Sequence, residues 1–184
     1  MKGPVDSVMM VTLYMDDEGI MPLILEDGRI EIIISNSQLS AKGTLLNNAL
    51  YEFIEKRNAM EVEMGELERK EARMVLDGAN LEDVHEQLAK EEETLAKEMN
   101  DYVKDFIIEN YENVLGPGVF MMMCSTLPYP IMTPRIEEIM RTAPLIFKEN
   151  AFVKDFLSKA KQNMQLLEEH KRLQQSSETT DMQH

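Results

Sequence analysis

Cysteine, tryptophan and histidine are scarce in this sequence, and their scarcity excludes several kinds of chemistry. The 184 residues include one cysteine, no tryptophan and three histidines. A single thiol forms neither an internal disulfide nor a Cys-x-x-Cys redox pair. His85, His170 and His184 have no spacing that places two of them on one face of a helix. We therefore expect no catalytic residues, no metal and no cofactor, and the chain is predicted not to be an enzyme.

Positive charge is also scarce, and this limits the classes of partner that the protein can bind. The sequence has 19 Lys and Arg residues against 34 Asp and Glu residues, a formal net charge of −15. Binding to nucleic acid requires a basic face that displaces counterions from the phosphates. Anionic membrane surfaces likewise attract basic segments rather than acidic ones. We therefore expect no nucleic acid among the partners.

Long apolar runs are absent as well. The densest, Val119–Cys124, is far shorter than the roughly 20 residues that span a bilayer. The first ten residues lack the apolar segment and small-residue cleavage site of a signal peptide. The residues alone therefore predict no membrane insertion, and a cytoplasmic location if the chain is complete as given.

Methionine, in contrast, is abundant, with 16 residues. Met121–Met123 directly precede Cys124, which raises the alternatives of a Cu(I) site and of a reactive thiol, since Cu(I) prefers soft sulfur ligands. Neighbouring residues on a helix point about 100° apart and do not converge on one ion. No nearby base or basic residue activates Cys124. Packing of this stretch in a protein core is the favoured interpretation.

The first 35 residues predict β-structure. Strands are expected at Ser7–Met15, Ile20–Glu26 and Arg29–Ser35, because these segments are rich in β-branched and large apolar residues. Asp27-Gly28 between the second and third strands is a strong signal for a tight hairpin turn. Pro22 near the start of the second strand suits a sheet edge. The prediction is a three-stranded antiparallel meander.

This small sheet is expected to be incomplete. Ile32–Ile34 place apolar residues on both of its faces. Helices of the same chain can cover one face, whereas the other requires further strands or a partner. Three strands are also near the lower limit for a stable sheet.

The rest of the sequence predicts helices. Apolar residues at helical spacing from Leu46 onward stop at Asp77–Asn80, where Asn80 is a good N-cap for a second helix, Leu81–Phe106. Two long amphipathic helices joined by a short loop predict an antiparallel helical hairpin. Three shorter helices are expected at Val119–Thr126, at Pro134–Thr142 and from Ala151 to about Arg172.

The predicted fold class is therefore α+β: a small antiparallel β-meander, a long antiparallel helical hairpin and further helices. Residues 1–38 form the β-meander, residues 39–173 form the helical part of the same domain, and residues 174–184 form a polar flexible tail.

Four segments occur in a familiar order. Their motif residues are Leu25, Glu26 and Gly28; Gly43, Thr44 and Asn47; Ile107 or Ile108, Asn110, Leu115 and Gly116; and Lys148 with Asn150. The sequence resembles, over roughly Val5 to Leu173, the uncharacterised domain that precedes thioredoxin-like domains in envelope thiol–disulfide oxidoreductase proteins of anaerobic gut bacteria. That family usually has further strands at its start and a thioredoxin-like domain with Cys-x-x-Cys at its end, and both are missing here.

The resemblance implies a location in the cell envelope or periplasm and a non-catalytic accessory role, in which the domain binds proteins or presents a substrate. One alternative is a fragment of a redox protein that lacks its catalytic domain. Another is a helical scaffold or holdase-like chaperone. The candidate contact residues are Met9, Val11 and Leu13 on the sheet, and Met60 and Met64 on the first long helix, with ordinary core packing as the alternative for each. Self-association through the incomplete sheet would give a homodimer.

Overall fold

The computed structural model describes residue 3 and residues 6–35 and 38–181. Within them the strands are β1 (Met9–Met15), β2 (Glu18–Leu25), β3 (Glu31–Ile34) and β4 (Leu39–Lys42). The helices are α1 (Leu45–Leu76), α2 (Leu81–Glu109), α3 (Leu115–Cys124), α4 (Pro134–Thr142), α5 (Leu145–Lys148) and α6 (Ala151–Asp181). Short strands followed by helices confirm the predicted α+β class.

The strands form antiparallel pairs, β1 with β2 and β3 with β4. Met9 lies opposite Leu25 in the first pair, and Glu31 lies opposite Lys42 in the second. Asp16 and Asp17 both have positive φ and form the turn between β1 and β2. This is the backbone shape that matches the twist of a two-residue hairpin.

The predicted three-stranded meander is wrong in its pairing. Strand β3 pairs with β4, which the sequence did not predict, and not with β2. Asp27-Gly28 is therefore not a hairpin turn between paired strands. The physical reason is that the second edge of β2 is already occupied, because the backbone N–H and C=O of Ile24 are hydrogen-bonded to the side chain of Asn47.

The long helices agree with the prediction. The side chain of Asn80 accepts hydrogen bonds from the backbone N–H groups of Glu82 and Asp83, at 2.8 and 3.4 Å, and so caps α2. Contacts between α1 and α2 include an ion pair between Lys70 and Glu91 at 2.5 Å and close packing of the Phe53 and Phe106 rings, with centroids 4.3 Å apart. These contacts define the predicted antiparallel hairpin.

The chain divides into two compact units, Met1–Phe106 and Ile107–His184. In the first unit, the fully buried side chains include Ile24 of β2, Ala41 of β4 and Leu50 of α1. Helix α1 packs against both β2 and β4. The core of this unit therefore forms where the strands meet the first turns of α1.

The second unit is built around aromatic rings. Phe120 contacts Phe147 and Phe156 edge to face, each with a centroid separation of 5.6 Å. The Tyr111 hydroxyl donates a 2.5 Å hydrogen bond to the backbone C=O of Ile139. Edge-to-face pairs are favoured because the positive edge of one ring meets the negative face of another.

Two helix bounds in this unit differ from the prediction. Helix α3 begins at Leu115, not Val119, because Gly116-Pro117-Gly118 forms its first turn, where proline is tolerated. Helix α6 continues to Asp181, beyond the predicted end near Arg172. Residues 182–184 of the predicted tail lie outside the described residues.

Candidate interaction surfaces

The start of α1 is fastened to β2 by side-chain hydrogen bonds. The Asn47 amide accepts from the N–H of Ile24 at 3.0 Å and donates to its C=O at 2.8 Å. One Glu26 carboxylate oxygen accepts from the N–H groups of Leu46 and Asn47, each at 3.0 Å. These are free donors of the first helical turn, and a carboxylate there also complements the helix dipole.

Glycines complete this junction. Gly43 has a φ of +102°, and a Cβ built on it would lie 2.5 Å from the backbone oxygen of Arg29. Gly28 has a φ of +128°, and its Cβ would lie 2.9 Å from the Thr44 methyl group. The motif residues Glu26, Gly28, Gly43 and Asn47 therefore serve the fold rather than a binding site. The sequence pointed to these four residues as motif residues but did not predict the contacts that they make at this junction.

The predicted contact residues of β1 share one face of the first strand pair. Met9, Val11 and Leu13 lie opposite Leu25, Leu23 and Met21, respectively. Met9 is 44 % exposed, whereas Val11 and Leu13 are half-buried and their partners Leu23 and Met21 are buried. The surface of β1 is therefore open at Met9 and at the far end, where Tyr14 and Met15 are exposed.

The predicted contact residues of α1 lie on a different element. Met60 and Met64 are both half-buried and are one helical turn apart. Met64 lines a groove of about 360 Å³ between α1 and α2, together with Leu67, Leu88 and His85. Its lining combines these apolar residues with charged ones such as Glu71 and Glu92.

Strand β3 is the most open part of the β-structure. Ile32, Ile33 and Ile34 are 40 %, 38 % and 45 % exposed, although successive residues of a strand point to opposite faces. Both faces of β3 are therefore uncovered, whereas Ser40 and Ala41 of β4 are fully buried. The run of isoleucines was visible in the sequence, but β3 was not among the predicted contact residues.

The prediction that Cys124 is a core residue is confirmed. Its side chain is buried, and this burial raises the pKa of the thiol to about 12. A thiol with this pKa stays protonated near neutral pH and is a poor nucleophile.

Among the described residues, no group of three or more His, Cys, Asp or Glu side chains is arranged to hold a metal ion. His85 instead lies with its Nε2 atom 3.3 Å from a carboxylate oxygen of Glu71. None of the described helices combines the length and the apolar character that crossing a membrane requires.

A family model matches the first part of the chain. No curated protein and no solved structure gives a significant match. The prediction of an uncharacterised domain is confirmed for the segment that contains all the described strands and the Asn47 junction, while the association with thioredoxin-like domains stays a prediction. Residues 1–50 match the family model of a domain of unknown function, DUF4369.

Proposed function

We propose that this chain is a non-catalytic protein-interaction domain whose strand β1 receives an extended segment of a partner protein. The observation that carries the proposal is the combination of an open strand edge with exposed apolar side chains. Such edges present unpaired backbone N–H and C=O groups and are used for recognition by strand addition.

The hydrogen-bond pattern identifies the groups available on β1. Ile24 directs its backbone N–H and C=O away from β1, toward Asn47. Two residues earlier, the backbone C=O of Pro22 also points away from β1 and accepts a hydrogen bond from the Tyr51 hydroxyl at 2.8 Å. Bonded and non-bonded pairs alternate along an antiparallel ladder. Met10 and Thr12, opposite Ile24 and Pro22, therefore direct their own N–H and C=O groups to the outer edge of β1.

The side chains around this edge favour a partner with apolar and basic residues. Met9 and Met15 are exposed, and Tyr14 is 65 % exposed. Lysine and proline, which commonly protect edges from pairing, are absent from β1. Asp16, Asp17 and Glu18 follow directly, so a basic residue of the partner is favoured at that end.

The resemblance described above suggests the biological setting of this binding. In that family, the domain accompanies thioredoxin-like domains of envelope thiol–disulfide oxidoreductases. The match of residues 1–50 to a domain of unknown function supports the part of the resemblance that concerns the uncharacterised domain, and the redox setting belongs to the proposal. The role proposed here is accordingly to hold a thioredoxin-like protein, or its substrate, beside the redox centre that the partner supplies.

A photo-crosslinking residue at Tyr14 tests this proposal. Tyr129 is also an exposed tyrosine, 46 % exposed, and serves as the matched control position in the second unit. Illumination with a purified thioredoxin-like protein of the source organism, or with its cell-envelope extract, should give a discrete adduct from position 14 that is absent from position 129. No adduct, or the same adducts from both positions, would contradict binding at β1.

The holdase-like chaperone is the second candidate, because exposed Met9, Met15 and Leu39 lie on a protein with a net charge of −15. Apolar patches inside a charged shell bind unfolded chains without selectivity. Suppression of the aggregation of a chemically denatured client, without a discrete adduct from position 14, would support this function.

A further inference from the structure

Strand β3 carries backbone groups that the described part of the chain does not use. Ser35 and Gln38 exchange backbone hydrogen bonds of 2.9 and 3.4 Å and close the β3–β4 hairpin. Because bonded and non-bonded pairs alternate, Ile33 and Glu31 also bond toward β4. Ile32 and Ile34 therefore direct their N–H and C=O groups to the outer edge of β3.

This edge is self-complementary. If two copies meet in antiparallel orientation with a two-fold axis at Ile33, each Ile32 lies opposite the Ile34 of the other copy. Both are outward-directed residues, so each such pair exchanges its two backbone hydrogen bonds. The exposed isoleucines then form cross-strand apolar pairs.

The charges within β3 also permit a second copy at this position. In the same register Glu31 lies opposite Ser35, so no like charges face each other within the paired segment. Charge within the paired segment therefore does not oppose self-association through β3.

We propose that β3 pairs with β3 of a second copy of this chain and forms a continuous sheet in the order β4–β3–β3–β4. A contact of this kind is isologous and closes after two copies. It also covers an exposed run of isoleucines, which is otherwise an aggregation hazard on a strand edge.

The shortness of β3 and the net charge of each copy both limit the affinity of the dimer. Strand β3 has 4 residues, so few backbone bonds form and the dissociation constant is expected in the micromolar to millimolar range. Each copy carries a formal charge of −15, so long-range repulsion opposes association. Salt screens this repulsion, and the dimer should be stronger at physiological than at low ionic strength.

Cysteine trapping tests the register directly. At the two-fold axis, the Cα atoms of position 33 are expected to be about 4.5 Å apart, within disulfide reach. Ile33→Cys should give a disulfide-linked dimer under mild oxidation with diamide. Ile32→Cys is the matched control, since the two copies of position 32 are diagonal neighbours about 7–8 Å apart. A mixture of Ile32→Cys and Ile34→Cys proteins should form the mixed dimer.

Because the native Cys124 is buried, only the introduced cysteines are expected to form disulfides, and the trapping results therefore report on the register. Trapping at position 33 well above position 32 supports the proposed register. Equal trapping at positions 32 and 33, or none at either, overturns it.

Sedimentation velocity across a concentration series measures the same contact without oxidation. Ile33→Lys places like charges opposite each other at the axis and should raise the dissociation constant at least about tenfold. Val62→Lys adds the same charge at a position 65 % exposed on α1 and should leave association nearly unchanged. A parent protein that stays monomeric up to millimolar concentration at physiological salt overturns the proposal, as does equal weakening by both variants.

Discussion

The side-chain amide of Asn47 takes the place of a neighbouring strand for Ile24. It accepts from the Ile24 N–H at 3.0 Å and donates to the Ile24 C=O at 2.8 Å, and both residues are fully buried. Buried backbone groups need partners, because leaving them without one costs free energy. The contact thereby joins β2 to α1 and also prevents β3 from pairing with β2.

Asn47→Ala should destabilise the protein by about 2–4 kcal/mol, since it leaves the buried N–H and C=O of Ile24 without partners. Urea unfolding followed by circular dichroism measures the loss. Asn48→Ala is the control: Asn48 accepts one exposed hydrogen bond, from Gly43 N–H at 2.9 Å, so its loss should be about 1 kcal/mol or less. Equal losses from both variants would contradict this role of Asn47.

The long helices were predictable because their signals are local. Leu46, Leu50 and Phe53 repeat at helical spacing, and Asn80 is a strong N-cap, so α1 and α2 follow from the sequence. Strand pairing was not predictable in the same way. The Asp27-Gly28 signal for a hairpin is local, whereas the Asn47 contact that overrides it comes from 23 residues away in the sequence.

The candidate surfaces were only partly predictable. The apolar character of β1 and of Ile32–Ile34 is visible in the sequence, but exposure depends on which strand lies beside each of them. The segment of β4, Leu39–Lys42, contains small and polar residues and gives no clear strand signal. Its position against α1 buries Ala41 and leaves β3 at the edge.

Alanine substitutions at two glycines should change the stability of the protein in opposite directions. Gly43→Ala should destabilise the protein by roughly 2–3 kcal/mol, because its φ is +102° and the added Cβ would meet the backbone oxygen of Arg29 at 2.5 Å. Gly65→Ala should stabilise it by about 0.5–1 kcal/mol, since Gly65 lies inside α1 with open space around the added Cβ. Both values come from urea unfolding. Destabilisation by Gly65→Ala would show that the backbone of α1 needs glycine there.

Ser40 offers a stabilising substitution. Its side chain is fully buried, and its hydroxyl has no hydrogen-bond partner among the described residues. Ser40→Ala removes the unsatisfied group and should raise the midpoint of thermal unfolding, with a gain of about 1 kcal/mol. Ser35→Ala is the control, because the Ser35 hydroxyl accepts from the Gln38 N–H at 3.0 Å and its removal should lower the midpoint. A lower midpoint for Ser40→Ala would indicate that the hydroxyl has a partner.

The last prediction concerns alkaline pH. Burial raises the pKa of the Cys124 thiol from 9.0 to about 12 and the pKa of Tyr51 from 10.0 to about 12. Between the unfolded and folded values, the unfolded chain loses a proton that the folded chain retains. The unfolded state therefore binds fewer protons, and the free energy of unfolding falls as the pH rises through this window.

Substitution separates the two groups. Between pH 9.0 and pH 10.0, Cys124→Ala should flatten the fall of the free energy of unfolding more than Tyr51→Phe does, because the unfolded thiol ionises at lower pH than the unfolded phenol. Above pH 10.0 both variants should have a flatter slope than the parent. Urea unfolding at closely spaced pH values gives these slopes. The slopes are compared rather than the absolute stabilities, because each substitution also removes packing or a hydrogen bond. Parallel profiles for Cys124→Ala and the parent would mean that the thiol ionises in the folded protein as easily as in the unfolded chain, which is incompatible with its burial.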